Sequence, residues 1–596
     1  MKSLLRLFPY FHPYRFWVLL GFGGFFCSRF FEILTSYFIA MGIDEIALQL
    51  QGGEGPYTVG AIALISMSCV VGRFLFVTYA RRMIRRAGIA VAYDLRQAVY
   101  GAVQHQGSEF FSHIGVGDIM TRAIQDIALI QRLIANGSVH FIIIIYAPLF
   151  AITFMSWKSP ALTLLILPVL PILFGYAWWI SREMAATSKV VQERLSDLSA
   201  HVQENLSGIR TVQAMAQEEN EIARFWQTND AYGVAFYRQA RVQSLMSAWM
   251  PLFAGIAQLV ILVYGGKLVL DDEMSVGDLV FFLFCLNMLL QPIRMAGMFI
   301  TLVQRAIVGS RRLGEILEAE PEIADTPTRK TPDIITGAFE LRDLSFTYPG
   351  ASEPSLKSLN LVIEHGESIG IVGRVGAGKS TLLKLFTRMV DTPKGVLYVD
   401  GSDVCDFPLV QLRSQVAQVL QDPFLFGEPL RNNISYDEPG RRIDQVWSSA
   451  DAVALRGTIE SFPAQMETVV GERGVTLSGG QKQRTTLARG LIREAPVLIL
   501  DDCFSSVDTE TEEHILGRLK TMRGDRTTIL VSHRVSTLRH CDRIVVLNEG
   551  EIAEVGSHEA LLRADGIYAE LERVQTQSGD RSQLDDLSSD EGLSPA

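Results

Sequence analysis

The sequence predicts an α-helical membrane domain of six spans with long cytosolic extensions, followed by a soluble α/β domain. Three observations predict it. Nearly all the apolar excess of a chain that is 48% hydrophobic and only 20% charged lies before residue 305. The segments between those apolar blocks alternate between short ones poor in Arg and Lys and long ones that hold most of these residues. From about residue 337 the texture changes to short apolar runs separated by turns, and one such run leads into a glycine-rich loop. A soluble chain of this length would carry about 25% charge and divide into three or four domains. Disorder, a collagen-like fibre and a disulfide-rich scaffold are excluded by the same composition. Six scattered cysteines without metal-type spacing suit buried thiols in a reducing cytosol. A net charge of −11 argues against nucleic acid as a partner.

The expected spans are 16–43, 59–80, 139–157, 161–181, 245–270 and 278–300. Each reaches or nearly reaches the roughly 20 apolar residues that cross a ~30 Å hydrocarbon core. The aromatic, Pro-containing start (LFPYFHPYRFW) reads as a short interfacial helix, and no cleavable leader is expected. The loops at 43–58, 158–160 and 271–277 are short and together carry one Lys against several acids, whereas 81–138 and 182–244 are long and hold seven basic residues each. The excess of Arg and Lys puts the long segments and both termini in the cytoplasm. Each long segment reads as two helices continuing past the bilayer, since ~25 helical residues project about 38 Å. Lacking an Arg- and Ser-rich transit segment, the chain is expected in a bacterial plasma (inner) membrane, multi-pass. The expected organisation is a transmembrane domain over 1–305, a charged, Pro-containing linker over 306–336, a soluble α/β domain over 337–575 and a disordered acidic tail over 576–596.

In the soluble half, Gly373-Arg374-Val375-Gly376-Ala377-Gly378-Lys379-Ser380 follows the apolar run 369–372 and precedes the helical run 381–386, which begins at Thr381. That strand–loop–helix context is what a P-loop needs, because glycines let backbone N–H groups wrap phosphate oxygens at a helix N-terminus. Lys379 would reach the β- and γ-phosphates of ATP, and Ser380 would ligate Mg²⁺. Downstream, the apolar run 497–500 ends in Asp501, the carboxylate that a Walker B strand supplies to Mg²⁺.

Leu477-Ser478-Gly479-Gly480-Gln481 followed by Lys-Gln-Arg resembles the signature of the ATP-binding cassette (ABC) ATPases. The resemblance extends to Tyr348 as the aromatic that stacks on adenine and to Gln421 in QDPFLF as the Q-loop glutamine. It also covers Glu472 in an exporter-type X-loop, Asp508 closing the D-loop SSVD, and His533 in VSHR as the switch histidine. It spans residues 1 to about 575 and implies an exporter-type half-transporter: an α-helical membrane domain plus an α/β P-loop NTPase cassette of the ABC type. It further implies that Gln421 joins Ser380 and Asp501 around Mg²⁺, and that Asp502, His533 and Gln421 act on the attacking water. Ser478–Gln481 would close on ATP bound to the other cassette of a dimer.

One position departs from the pattern. The family carries Glu after the Walker B aspartate, whereas this chain has Asp502. The missing methylene shortens its reach by about 1.5 Å, and a misplacement near 1 Å can cost on the order of 10²-fold in rate. The resemblance implies a heterodimer with a Glu-bearing second half-transporter, because the family's half-transporters with Asp here usually have a dissimilar partner; a homodimer is the alternative. The expected function is ATP-driven export of a small amphipathic or hydrophobic substrate (drug, lipid or peptide) by alternating access, with lipid around the spans. An ATP-gated channel or regulatory subunit, or an importer built on the same fold, remains the rival. Arg29, Glu32, Arg73, Gln258, Asn287, Gln291 and Arg294 lie inside spans, where charge is costly and faces a cavity or a partner. Arg29 and Glu32 are i,i+3 and could neutralise each other.

Overall fold

The computed structural model describes residues 2–53, 55–323, 325, 331–471, 474 and 476–576. Glu472, the side chain of Arg294 and the tail from 577 onward lie outside the described residues. The chain divides into two compact units. One comprises 1–105 and 114–319; the other comprises 106–113 and the chain from 320 onward.

The first unit is helical because hydrocarbon offers no partner to a backbone N–H or C=O, so each segment must bond within itself. Its principal helices are α1 (Arg15–Leu50), α2 (Val59–Gln104), α3 (Ser138–Lys158), α4 (Val169–Ser207), α5 (Glu218–Val260) and α6 (Val276–Leu317). Six helical stretches among the described residues are long and apolar enough to cross a membrane. With 46 residues, α2 is about 69 Å long, more than twice the hydrocarbon thickness. The long basic segments are thus helices that continue the spans, as the sequence predicts. Short helices at Ser108–His113 and Ile209–Ala214 interrupt them.

Hydroxyl caps start the helices at the short loops. Thr58 accepts from the Ala61 N–H, Ser159 from Leu162 and Ser275 from Asp278. Asp44 at the end of α1 accepts from the Ser275 hydroxyl at 2.6 Å, and Lys158 pairs with Asp278 at 2.7 Å. These contacts tie the ends of α1, α3 and α6 together. Helices α1 and α2 approach closely at Gly24, where a Cβ would lie 3.0 Å from that of Ala80. Gly297 likewise opposes Ser181, so packing of α6 on α4 accounts for this glycine. The interior holds Ile33, Ala147, Met155, Leu162, Phe281 and Phe282. Leu64, Phe74, Leu164 and Val263 are exposed, as lipid-facing residues should be. All six cysteines are free; five are buried and Cys27 is half-buried.

The second unit carries two sheets. A six-stranded sheet runs in the order β10-β9-β3-β8-β7-β6, and a four-stranded antiparallel sheet runs β2-β1-β4-β5. In the larger sheet β6 (Val416–Val419), β7 (Val497–Asp501), β8 (Thr527–Val531), β3 (Ser368–Gly373) and β9 (Arg543–Asn548) are parallel, and β10 (Glu551–Gly556) pairs antiparallel with β9. The smaller sheet is built from β1 (Phe339–Phe346), β2 (Leu356–Ile363), β4 (Leu397–Val399) and β5 (Ser402–Asp403). Successive residues of the parallel strands enter opposite cores. Val497, Ile499, Ile529 and Val531 join one cluster, while Leu498, Leu500 and Leu530 join the other. Burial on both faces makes these strands read as continuous apolar runs. The chain leaves β6, β3, β8 and β7 at one shared edge, and parallel sheets bind ligands outside the carboxyl ends of their strands.

Candidate functional site

The loop after β3 turns into helix α7 (Lys379–Phe386). Gly376 and Gly378 have φ of +86° and +95°, a region side chains disfavour, and a Cβ on Gly378 would come within 2.8 Å of the Ser355 carbonyl. The glycines thus permit the loop's curvature where the chain enters α7. Lys379 is buried, and its ammonium donates to the carbonyls of Gly373 at 2.7 Å and Arg374 at 3.0 Å. Burial pulls its pKa below the usual lysine range, an effect opposed by the nearby charges of Asp502 and Asp501. Val375 is almost fully exposed at the loop tip, and Ala377 is buried beneath it. Beside α7, the Tyr348 hydroxyl donates to Thr381 at 3.4 Å, with the Lys384 ammonium 5.8 Å from the Tyr348 ring centroid.

Asp501 ends β7 and is buried; burial and then the adjacent Asp502 charge raise its pKa, while Lys379 and Lys384 lower it. Asp502 takes φ +45°, a conformation that aspartate tolerates better than most residues, and its N–H donates to the Val531 carbonyl at 2.8 Å. Gln421, in the turn beyond β6, donates from Nε2 to Asp502 at 3.3 Å. The structure therefore brings Lys379, Asp501, Asp502 and Gln421 to one sheet edge.

The fit to ATP and Mg²⁺ can be tested on these residues. The loop is a cradle that side chains at 376 and 378 would disturb, and the oxygens near it are hard carboxylate, amide and hydroxyl donors. Mg²⁺ favours one or two carboxylates together with phosphate and water, so the set fits. Ser380, Gln421 and Asp501 would hold the metal, which supplies charge neutralisation at the phosphates. Lys379 and the loop amides would bind and orient the nucleotide. Asp502 would hold the attacking water's proton, with Gln421 fixing its carboxylate.

The remaining expected residues prove to be braced by their own neighbours. Ser478 caps helix α8 (Gly479–Leu491) in a reciprocal box: its hydroxyl accepts from the Gln481 N–H at 3.3 Å, and the Gln481 side chain accepts from the Ser478 N–H at 2.9 Å. Gly480 is obligatory for packing, because a Cβ there would sit 2.7 Å from the Ser506 carbonyl. Asp508 caps helix α9 (Thr509–Met522), accepting from the Thr511 N–H at 2.9 Å, which holds its carboxyl below the usual range. His533 is exposed just beyond β8.

Sequence reasoning missed three bracing residues. Gln483 donates to Ser505 at 2.7 Å and accepts from the Ser506 N–H at 2.8 Å, fastening α8 to the segment before Asp508. Arg534 donates to buried Glu512 at 2.7 Å and to the carbonyls of Val507 and Ser505. Gln575 reaches the backbone beside His533. Gln483 and Arg534 stand inside motifs already singled out; Gln575 had no local signal.

In the first unit, Glu32 accepts from Arg29 and pairs with Arg73 at 2.8 Å, while Arg29 also donates to Gln291 at 3.3 Å. Neutralisation within α1 is therefore incomplete, since one carboxylate serves two guanidinium groups. Asn287 donates to the Leu283 carbonyl of its own helix.

Two family models match the chain: the ABC transporter transmembrane region over residues 18–293 and the ABC transporter cassette over 356–505. Curated relatives include the uncharacterised ABC transporter ATP-binding protein YknU of Bacillus subtilis, 31% identical over 96% of this chain and 98% of its own. An ATP-dependent lipid A-core flippase of Desulfotalea psychrophila is 31% identical over 84% of this chain and 87% of its own. Among solved structures, a bacterial Atm1-family ABC exporter with ATP bound is similar at a TM-score of 0.74 and 26% identity, covering 95% of this chain and 99% of that one.

Proposed function

The chain belongs to the ABC transporter family, as an exporter-type half-transporter with a multi-pass membrane region and one ATP-binding cassette, and from that premise we propose that it is the slow-site subunit of a heterodimeric exporter. Half-transporters of this family work as dimers. The partner proposed here is a second, dissimilar half-transporter with Glu where this chain has Asp502. The observation that carries the reading is Asp502 itself. Its carboxylate lies within reach of Gln421, yet it is one methylene shorter than glutamate, so an attacking water would be held loosely. The intact capping box at Ser478–Gln481 supports the complementary half, in which this chain completes the partner's faster site.

The roles given to Tyr348, Ser380, Thr381, Gln421, Asp501, Asp502, Asp508 and His533 belong to this proposal, as do Mg²⁺ and the domain limits 1–305, 306–336 and 337–575. So does residence in a bacterial inner membrane with the cassette cytoplasmic. The substrate proposed is a small amphipathic molecule with an acidic head, moved outward as the cassettes close on ATP. Arg29 and Arg73 sharing the single carboxylate of Glu32 support an acidic head, because the surplus guanidinium charge within the span is costly. The relatives named as lipid A-core flippases agree with a lipid-like body.

Purification of the tagged chain from its native membrane tests the assembly. Recovery of a second half-transporter bearing the Glu is expected. Recovery of this chain alone, hydrolysing ATP briskly and losing that activity on Asp502→Asn, would overturn the heterodimer. Inside-out vesicles holding the recovered assembly test direction, with a fluorescent phosphate-headed lipid analogue as probe. ATP-dependent accumulation against a gradient is expected; passive equilibration would indicate a channel, and ATP-driven loss from preloaded vesicles an importer.

A further inference from the structure

We propose that Gln575 is a positioning residue for ATP turnover at this chain's own site, acting through the backbone of His533. Its Nε2 donates to the His533 carbonyl at 2.6 Å and its Oε1 accepts from the Val535 N–H at 3.0 Å. One amide thereby spans three residues of the loop that leaves β8. The inference rests on the proposed role of His533 and adds to it a residue that no cassette motif contains.

The physical case starts from exposure. The His533 side chain is exposed, so the direction in which it points depends on how its backbone is held. From one side Arg534 anchors the loop, through Glu512 at 2.7 Å and the Val507 and Ser505 carbonyls. From the other side the grip is Gln575. That residue stands in a helical stretch described over 567–576, whose start is fixed by Glu554 accepting from the Ile567 N–H at 2.5 Å and the Tyr568 N–H at 3.3 Å. Tyr568 is wholly buried, with its hydroxyl 2.8 Å from His558 Nδ1. Glu570 on the same run lies 3.3 Å from Arg374 of the phosphate loop. A single anchored helix therefore touches the loop after β3 and the loop after β8. Both amide atoms of Gln575 are used, which a glutamine merely covering a surface has no reason to do.

Single-turnover hydrolysis tests this, using the purified pair in lipid nanodiscs with the partner's Glu after its Walker B aspartate changed to Gln, so that turnover of radiolabelled ATP and Mg²⁺ reads this chain's own site. Gln575→Met keeps length and helix propensity but has no amide. It is expected to slow hydrolysis about tenfold while ATP affinity stays within about twofold. In the His533→Ala background it should add no further loss, because both substitutions remove one function. Gln575→Glu should also be slow, since its carboxylate cannot donate to the His533 carbonyl. A wild-type rate for Gln575→Met or Gln575→Glu beside a slow His533→Ala overturns the proposal, as does a double variant whose losses multiply. A wild-type rate for His533→Ala overturns it differently, by removing the switch role on which it rests.

Discussion

The cassette's phosphate edge and the charged cluster within the spans hold their polar groups in opposite ways. In the cassette each functional group has its own support: Lys379 has two carbonyls, Asp502 has Gln421 and a backbone bond, Ser478 has Gln481, and Asp508 has the Thr511 N–H. In the membrane unit one carboxylate, Glu32, serves Arg29 and Arg73 together. Distributed support means that altering one cassette residue changes chemistry more than folding. A shared hub means that altering Glu32 changes folding first.

The largest effect expected is on binding. Lys379→Ala removes the phosphate loop's buried cation, and charge-assisted hydrogen bonds worth about 1.5–3 kcal/mol translate into roughly 10- to 100-fold weaker ATP binding at this site. Titration with a fluorescent ATP analogue reads it, and an unshifted thermal midpoint would keep the cassette on its side of the contrast. Next comes Glu32→Gln. Breaking a buried ion pair costs 3–5 kcal/mol, and with the Arg73 side chain 47% exposed the expected loss is nearer about 2 kcal/mol. Thermal unfolding in nanodiscs measures it, and Arg73→Gln in the same chain should recover part; no loss of midpoint would break the comparison.

Smaller effects sharpen it. In the purified pair, Ser478→Ala should cut total ATP turnover about tenfold, whereas Asp502→Asn should change it less than about twofold, because in the proposed pair Ser478 would serve the partner's fast site. Steady-state phosphate release compares the two directly, and the reverse order would refute the division of labour. Asp502→Glu should raise single-turnover hydrolysis here several-fold, up to the order of 10²-fold if reach is the sole deficit. The smallest effect is a pH dependence. The Thr511 amide holds the Asp508 carboxyl below its unfolded value of about 3.9, so its contribution to stability is complete above that pH and disappears as pH falls through the lower folded value. The midpoint difference between wild type and Asp508→Ala should therefore be constant from pH 8 to 5 and shrink below pH 4.

What was legible in the sequence follows from locality. The strand, loop and helix around Lys379 are contiguous, and so are the Ser478–Gln481 box and the i,i+3 pair Arg29–Glu32. The six spans were legible because each needs only an unbroken apolar run. The Gln421–Asp502 bond joins residues 81 apart, and it forms because β6 and β7 are register partners in one sheet. Resemblance flagged both ends; residue pattern alone flags neither. Arg73 meeting Glu32, and Gln575 meeting His533 across 42 residues, come from packing of separate elements and leave no periodic trace.

The two carbonyl bonds of Lys379 have a thermodynamic consequence. Two of the ammonium's three N–H donors already serve Gly373 and Arg374, so on the proposed reading a phosphate would meet a cation held in place with its third donor to offer. The same internal bonds hold the loop around the ammonium, so little freedom would be left to lose when a phosphate docks. The lysine is thus a cation aimed in advance, its direction set by the backbone around it and not by the molecule it would receive.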